Sequence, residues 1–173
     1  KPFRISRGTR TEAPVVVVTV TDGQYTGSGE GVPIRRYNQT SGAVLAEIES
    51  IKSAPNLNRD HLQNLLPPGA ARNAVDCALW DLEAKANGRS VWEMAGLAVP
   101  ATIASDVTIG ILPPDETARA AETLCDAAMI KLKLGTPQDL DCVRALRSVL
   151  PTVPLFVDVN SGFYVRRLAT ILW

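Results

Sequence analysis

Apolar and polar positions change their rhythm twice along this chain. Pro14 to Thr21 is a run of β-branched residues, and Asp22-Gly23 behind it is a strong turn signal. A second strand is predicted from Gln24 to Glu30, with Gly27 and Gly29 inside it. Pro2 to Ser6 reads as an earlier strand or a lead-in loop. The middle of the chain turns helical. Val44, Ile48 and Ile51 share one face of Ala43 to Lys52, and Asn58 is placed to cap a short helix through Leu66. Pro67-Pro68-Gly69 stops that helix. The longest helix is predicted over Ala71 to Asn87, with Val75, Ala78, Leu79 and Leu82 as its apolar stripe and Gly88 as its C′ glycine.

From Thr102 the pattern alternates strand and helix. Strands are predicted at Thr102 to Ile109, Met129 to Leu134 and Leu155 to Asp158. Helices are predicted from Pro114 to Ala127, from Gln138 to Leu150 after a Thr136-Pro137 cap, and from Tyr164 to Trp173. A β-α-β-α-β-α order implies a parallel sheet, either doubly wound or the start of a barrel. A complete (β/α)8 barrel needs about 250 residues, so this chain holds fewer than half of one.

Composition narrows the partners. The chain has 173 residues, 46% of them hydrophobic, with 18 basic and 18 acidic side chains. That is enough apolar material for a packed core, and zero net charge gives no electrostatic reason to expect nucleic acid or an acidic membrane. No apolar run approaches the roughly 18 residues of a membrane span. The three cysteines, Cys77, Cys125 and Cys142, are odd in number and never at C-x-x-C spacing. A disulfide framework or zinc site is not expected, which points to a cytoplasmic location. Cys77 and Cys125 lie among small apolar residues, which predicts buried packing.

Lys131-Leu132-Lys133 carries the most chemistry. In a strand both lysines point to the face opposite Leu132 and Leu134. Two ammonium groups side by side in a poorly solvated site disfavour each other's charge, which suits a general base. Taken alone, K-x-K is better explained by two ordinary lysines on a solvent-facing strand edge, because the tripeptide is common. Asp158-Val159-Asn160 ends the next strand, where parallel folds place ligands, and Asp158 suits a hard cation such as Mg²⁺. Its alternative is a turn-forming pair before Ser161-Gly162. Together, a lysine pair beside a metal carboxylate suits abstraction of a proton α to a carboxylate.

K-L-K followed by F-V-D-V-N-S-G resembles the muconate-lactonizing subgroup of the enolase superfamily. LPPGAARNAVDCALWDL, from Leu66 to Leu82, resembles the helix that links that family's capping domain to its barrel. PFRISRGTRTEAPVVVV, from Pro2, and GSGEGVP, from Gly27, are similar to the capping domain of dipeptide epimerases in that family. The resemblance implies an α+β capping domain with linking helix over residues 1–99, followed by the first βα units of a (β/α)8 TIM-type barrel over 100–173. It implies a magnesium-dependent isomerase of the L-Ala-D/L-Glu epimerase type, working through an enediolate on a small-molecule dipeptide, and a homo-oligomer at full length. A cycloisomerase, an o-succinylbenzoate synthase and a non-catalytic remnant are the alternatives.

Residue by residue, the resemblance makes Lys133 the acid/base lysine, Lys131 its companion, Asp158 the first Mg²⁺ ligand and Asn160 its neighbour. Arg7 and Arg10 fall in the stretch that resembles the capping loop over the substrate, where a guanidinium suits a glutamyl carboxylate. Asp106 departs from the small hydroxyl or apolar residue of that subgroup. The family's other metal carboxylates and second lysine have no counterpart before Trp173, so this chain alone is expected to be inactive and poorly stable.

Overall fold

The computed structural model describes residues 2–6 and 8–160. Two compact units emerge, one of Ala13–Ala101 and one joining Lys1–Glu12 to Thr102–Trp173. Arg7 and the helix expected from Tyr164 to Trp173 lie outside the described residues.

The chain opens with β1 (Phe3–Ile5) and β2 (Gly8–Arg10), antiparallel with Phe3 opposite Arg10. Pro2 to Ser6 is therefore mostly strand. The Ala13–Ala101 unit begins with β3 (Val16–Thr21) and β4 (Thr26–Gly31), joined at the Asp22-Gly23 turn. There Asp22 Oδ1 accepts the N–H groups of Gln24 and Tyr25. Three helices follow: α1 (Ser41–Ser50), α2 (Arg59–Leu65) and α3 (Ala70–Asn87). Asn58 caps α2 by accepting the His61 N–H at 2.8 Å, and Gly88 ends α3 in the left-handed region at φ 61°. A single turn, α4 (Val91–Met94), is held at its start by Glu93 Oε2, which accepts from both the N–H and the hydroxyl of Ser90.

The core of this unit is where Val16, Val18, Val44, Leu62, Val75 and Leu79 meet. Gly27, Gly29 and Gly31 face α3, so closely that a Cβ on each would strike the carbonyl oxygens of Ala78, Ala74 and Ala70 in turn. Alternating glycines on a strand against alanines four apart on a helix let the two backbones touch. Side chains of α3 then reach the outer edge of β4. Asp81 accepts the Ser28 N–H, Lys85 donates to the Thr26 carbonyl, and Asn73 donates to that of Glu30. Three main-chain groups on that edge thus find partners without another strand.

In the other unit, β5 (Asp106–Ile109), α5 (Pro114–Glu122), β6 (Met129–Lys133), α6 (Asp139–Val149) and β7 (Leu155–Asp158) build a parallel sheet in the order β5-β6-β7. Ile130, Leu132, Leu134 and Leu146 are buried between sheet and helices. The N-terminal hairpin joins this unit through the Ile111 N–H, which donates to the Arg4 carbonyl at 3.0 Å.

Three expectations are corrected. Thr102 to Ser105 is not strand, because β6 starts at Met129, opposite Asp106, and offers nothing earlier to pair with; Ile103 is 84% exposed. The helix from Pro114 ends at Glu122 rather than Ala127. Thr123 Oγ1 turns back to the Ala120 carbonyl, and the next bonds are the tighter kind that close a helix. Cys77 and Cys125 are exposed and only Cys142 is buried: the small apolar neighbours of Cys77 lie on other faces of α3, and Cys125 stands in the turn after α5 has ended. Among the described residues no helix is long and apolar enough to cross a membrane.

Candidate active site

Strand alternation and register decide which side chains meet. Thr108 pairs with Lys131 and Lys131 with Phe156; one step on, Lys133 pairs with Asp158. Register partners in parallel strands project to the same face, so these side chains share the face turned away from α5 and α6. Lys133 and Asp158 stand at the C-terminal ends of their strands, where parallel sheets present ligands.

The lysines and the carboxylate form one cluster. Lys133 Nζ donates to Asp158 Oδ2 at 2.6 Å, and Lys131 Nζ lies 3.3 Å from the same oxygen. The Lys133 side chain is 10% exposed, against 34% for Lys131. The other oxygen, Oδ1, accepts the Asn160 N–H at 2.9 Å. Asn160 adopts φ 47°, a left-handed conformation that asparagine tolerates, and this turns the chain back onto the carboxylate. The Leu134 N–H donates to the Asp158 carbonyl at 3.0 Å, tying the two strand ends together.

The hydrogen bond from Lys133, ahead of the Asn160 N–H and Lys131, pulls the Asp158 carboxyl down to about 2 against the opposing effect of burial. A carboxylate whose folded pKa is depressed stabilises the fold above its unfolded value of 3.8, and that stability disappears as pH falls from there through about 2. Discounted for solvent around a partly exposed group, the effect is about 1 kcal/mol. The parent should therefore exceed Asp158→Asn in urea stability near neutral pH, and the difference should close as pH falls through the window below 3.8. A difference that persisted unchanged at the acid end would show that the carboxylate charge is not its source.

Whether these residues suit Mg²⁺ can be judged from the donors present. Among the described residues Asn160 Oδ1 is buried with no hydrogen-bond partner, and it stands two residues from Asp158. A carboxylate and an orphaned amide oxygen are the hard donors Mg²⁺ takes, but it needs six oxygens. Among the described residues no group of three or more His, Cys, Asp or Glu side chains could hold a metal. Asp158 and Asn160 fit as part of a magnesium shell, not as a whole one.

The remaining candidates separate. Arg10 is exposed on β2 and makes no ion pair with the lysine cluster among the described residues, while Arg7 lies outside them. Asp106 stands at the far end of the sheet face, opposite Met129. The hydroxyl beside Lys131 belongs to Thr108, which strand period alone did not single out, because only the β5–β6 register places it there.

Comparison with known proteins identifies the family. Residues 1–96 match the mandelate racemase / muconate lactonizing enzyme N-terminal domain. The L-Ala-D/L-Glu epimerase of Escherichia coli K12 is 39% identical over 172 residues, covering 97% of this chain and 54% of the epimerase. An N-acetyl-D-glutamate racemase from a Pseudoalteromonas species is 30% identical over 158 residues, covering 89% of this chain and 50% of the racemase. A crystal structure of an enolase family member from Agrobacterium tumefaciens, with homology to dipeptide epimerases and bound sodium and L-Ala-L-Glu, superposes with a TM-score of 0.91 at 41% identity. It matches 99% of this chain and 53% of its own length, so the chain spans about half the length of the relatives it matches. With capping-domain elements followed by the first βα units of a barrel, the chain belongs to the mandelate racemase / muconate lactonizing enzyme family of the enolase superfamily.

Proposed function

We propose that the polypeptide carrying this sequence is a cytoplasmic, magnesium-dependent dipeptide epimerase that inverts the α-carbon of a glutamyl residue in an L-Ala-Glu substrate. The observation that carries it is the register of Lys133 with Asp158 at two neighbouring strand ends, Nζ and Oδ2 2.6 Å apart. Lys133, as the free amine, takes the α-proton; its nitrogen gains the N–H bond as the C–H bond breaks, and the electron pair moves into the substrate carboxylate. Lys131, more exposed on the same face, is placed to hold that carboxylate by charge. Asp158, with Asn160 beside it, would hold Mg²⁺, which when bound would supply positive charge to the substrate carboxylate as it gains electron density. Arg7 and Arg10 are assigned to the substrate's side-chain carboxylate. Return of a proton to the opposite face needs a second acid, and the shell needs further carboxylates. Both are assigned to the half of the relatives' length that this chain does not span, so the chain alone is expected to be inactive.

The test is proton exchange. The full-length polypeptide, given L-Ala-L-Glu and Mg²⁺ in D₂O, should replace the glutamyl α-proton with deuterium and form L-Ala-D-Glu, followed by NMR. Exchange into neither epimer would remove the dipeptide epimerase reading. Turnover of a cycloisomerase or o-succinylbenzoate synthase substrate instead would move the protein elsewhere in the superfamily.

A further inference from the structure

Between the turns that follow β6 and β7 sits a residue from the other end of the chain. Ser6 Oγ donates to the Val159 carbonyl at 2.8 Å, across 153 positions of sequence. Val159 is the middle residue of the segment that aims Asp158 and carries Asn160. On its other side Ser6 packs against Gly135, two residues beyond Lys133; a Cβ on Gly135 would land on that of Ser6. Gly135 has φ 146°, open only to glycine, and is itself fixed from below. Asp139, buried at the start of α6, accepts the N–H groups of Gly135 and Thr136 at 2.9 and 2.8 Å. The β6 turn is thus anchored to α6, and the β7 turn has Ser6 as its tie to it from outside the sheet.

We infer that Ser6 is a positioning residue, which fixes the Asp158–Asn160 turn against the Lys133–Gly135 turn and so sets the spacing of the lysine and the carboxylate. The proposal concerns geometry; its consequence for catalysis rests on the reading of Lys133 and Asp158 given above. A hydroxyl bonded to a main-chain carbonyl is well suited to this, because it restrains the turn without placing a charge beside the cluster.

Amide hydrogen exchange on the full-length polypeptide tests it without substrate. Four amides report separate places. Asn160 bonds to the Asp158 carboxylate, Leu134 to the Asp158 carbonyl, Ile111 to the Arg4 carbonyl, and Ile130 to the Pro154 carbonyl at the opposite end of the sheet. Ser6→Ala should speed exchange at Asn160 and Leu134 roughly tenfold and leave Ile130 unchanged. Ile111 reports whether the hairpin itself has come away. Asn160 and Leu134 as protected as in the parent would overturn the inference, and so would a loss spread equally to Ile130, the mark of a general stability role. Under the epimerase reading, the same variant should lose about tenfold or more in kcat. Local loosening with unchanged kcat would overturn the positioning role. Absence of epimerase activity in the parent, with the local exchange pattern intact, would instead sink the functional reading and leave the geometric one standing.

Discussion

Gly29→Ala is expected to destabilise the Ala13–Ala101 unit by roughly 3 kcal/mol or more, a large part of what holds a domain together. The added Cβ would meet the Ala74 carbonyl oxygen and approach the Ala78 nitrogen to 2.6 Å. Both are main-chain atoms inside α3, so no side chain can rotate away to relieve the clash. Nor can α3 lift off β4 cheaply. The bonds from Asn73, Asp81 and Lys85 to the outer edge of β4 would break, and Val75, Ala78 and Leu79 would leave the core. Gly42→Ala is the control. It lies in α1 with open space around its Cβ, and alanine there should be neutral or stabilising by about 0.5–1 kcal/mol. Urea unfolding followed by fluorescence of Trp80 and Trp92 compares the two. An unfolding midpoint for Gly29→Ala equal to the parent's would mean that the strand and helix do not touch as described.

Much of this fold can be read from local signals. The Asn58 cap, the Asp22-Gly23 turn and the Gly88 stop each act within a few residues, and each is found where its chemistry requires. The glycine stripe was half visible: Gly27 and Gly29 stand out in the sequence, but their purpose needs the alanines of α3 opposite them. What sequence misjudged depends on partners. Thr102 to Ser105 has strand-like residues and, among the described residues, no strand to pair with. Cys77 has apolar neighbours in sequence and an exposed face of α3 in space.

The site divides the same way. That Lys131 and Lys133 share a face follows from the period of a strand. That Lys133 rather than Lys131 lies level with Asp158 follows from the register of β7, which the α6 crossover sets and local sequence does not. Thr108 was missed for the same reason one strand away. Ser6 left no signal at all, since nothing in Ile5-Ser6 announces a carbonyl far along the chain.

Lys133→Ala is expected to lower glutamyl α-proton exchange by about a hundred- to ten-thousand-fold, the range for removing a general base. Lys133 is the less exposed of the two lysines and the closer to Asp158, so it is the one held in fixed geometry. Lys131→Ala should cost less and act chiefly on KM, as the loss of a charge that holds the substrate carboxylate. The fold should survive both, because Leu132 and Leu134 supply the packing of β6 and project the other way. Loss of activity alone would not separate a base from a cation that merely keeps Asp158 in place. Lys133→Arg does so. Arginine retains the positive charge and its attraction to the Asp158 carboxylate, but it stays protonated under all working conditions and cannot accept a proton. If Lys133 only steadies the carboxylate, arginine should restore a substantial part of the exchange that alanine loses. If Lys133 is the base, the arginine variant should melt close to the parent and remain as inactive in D₂O as the alanine variant. Recovery of exchange with arginine would reassign Lys133 to a structural role and leave the α-proton without a base on this strand.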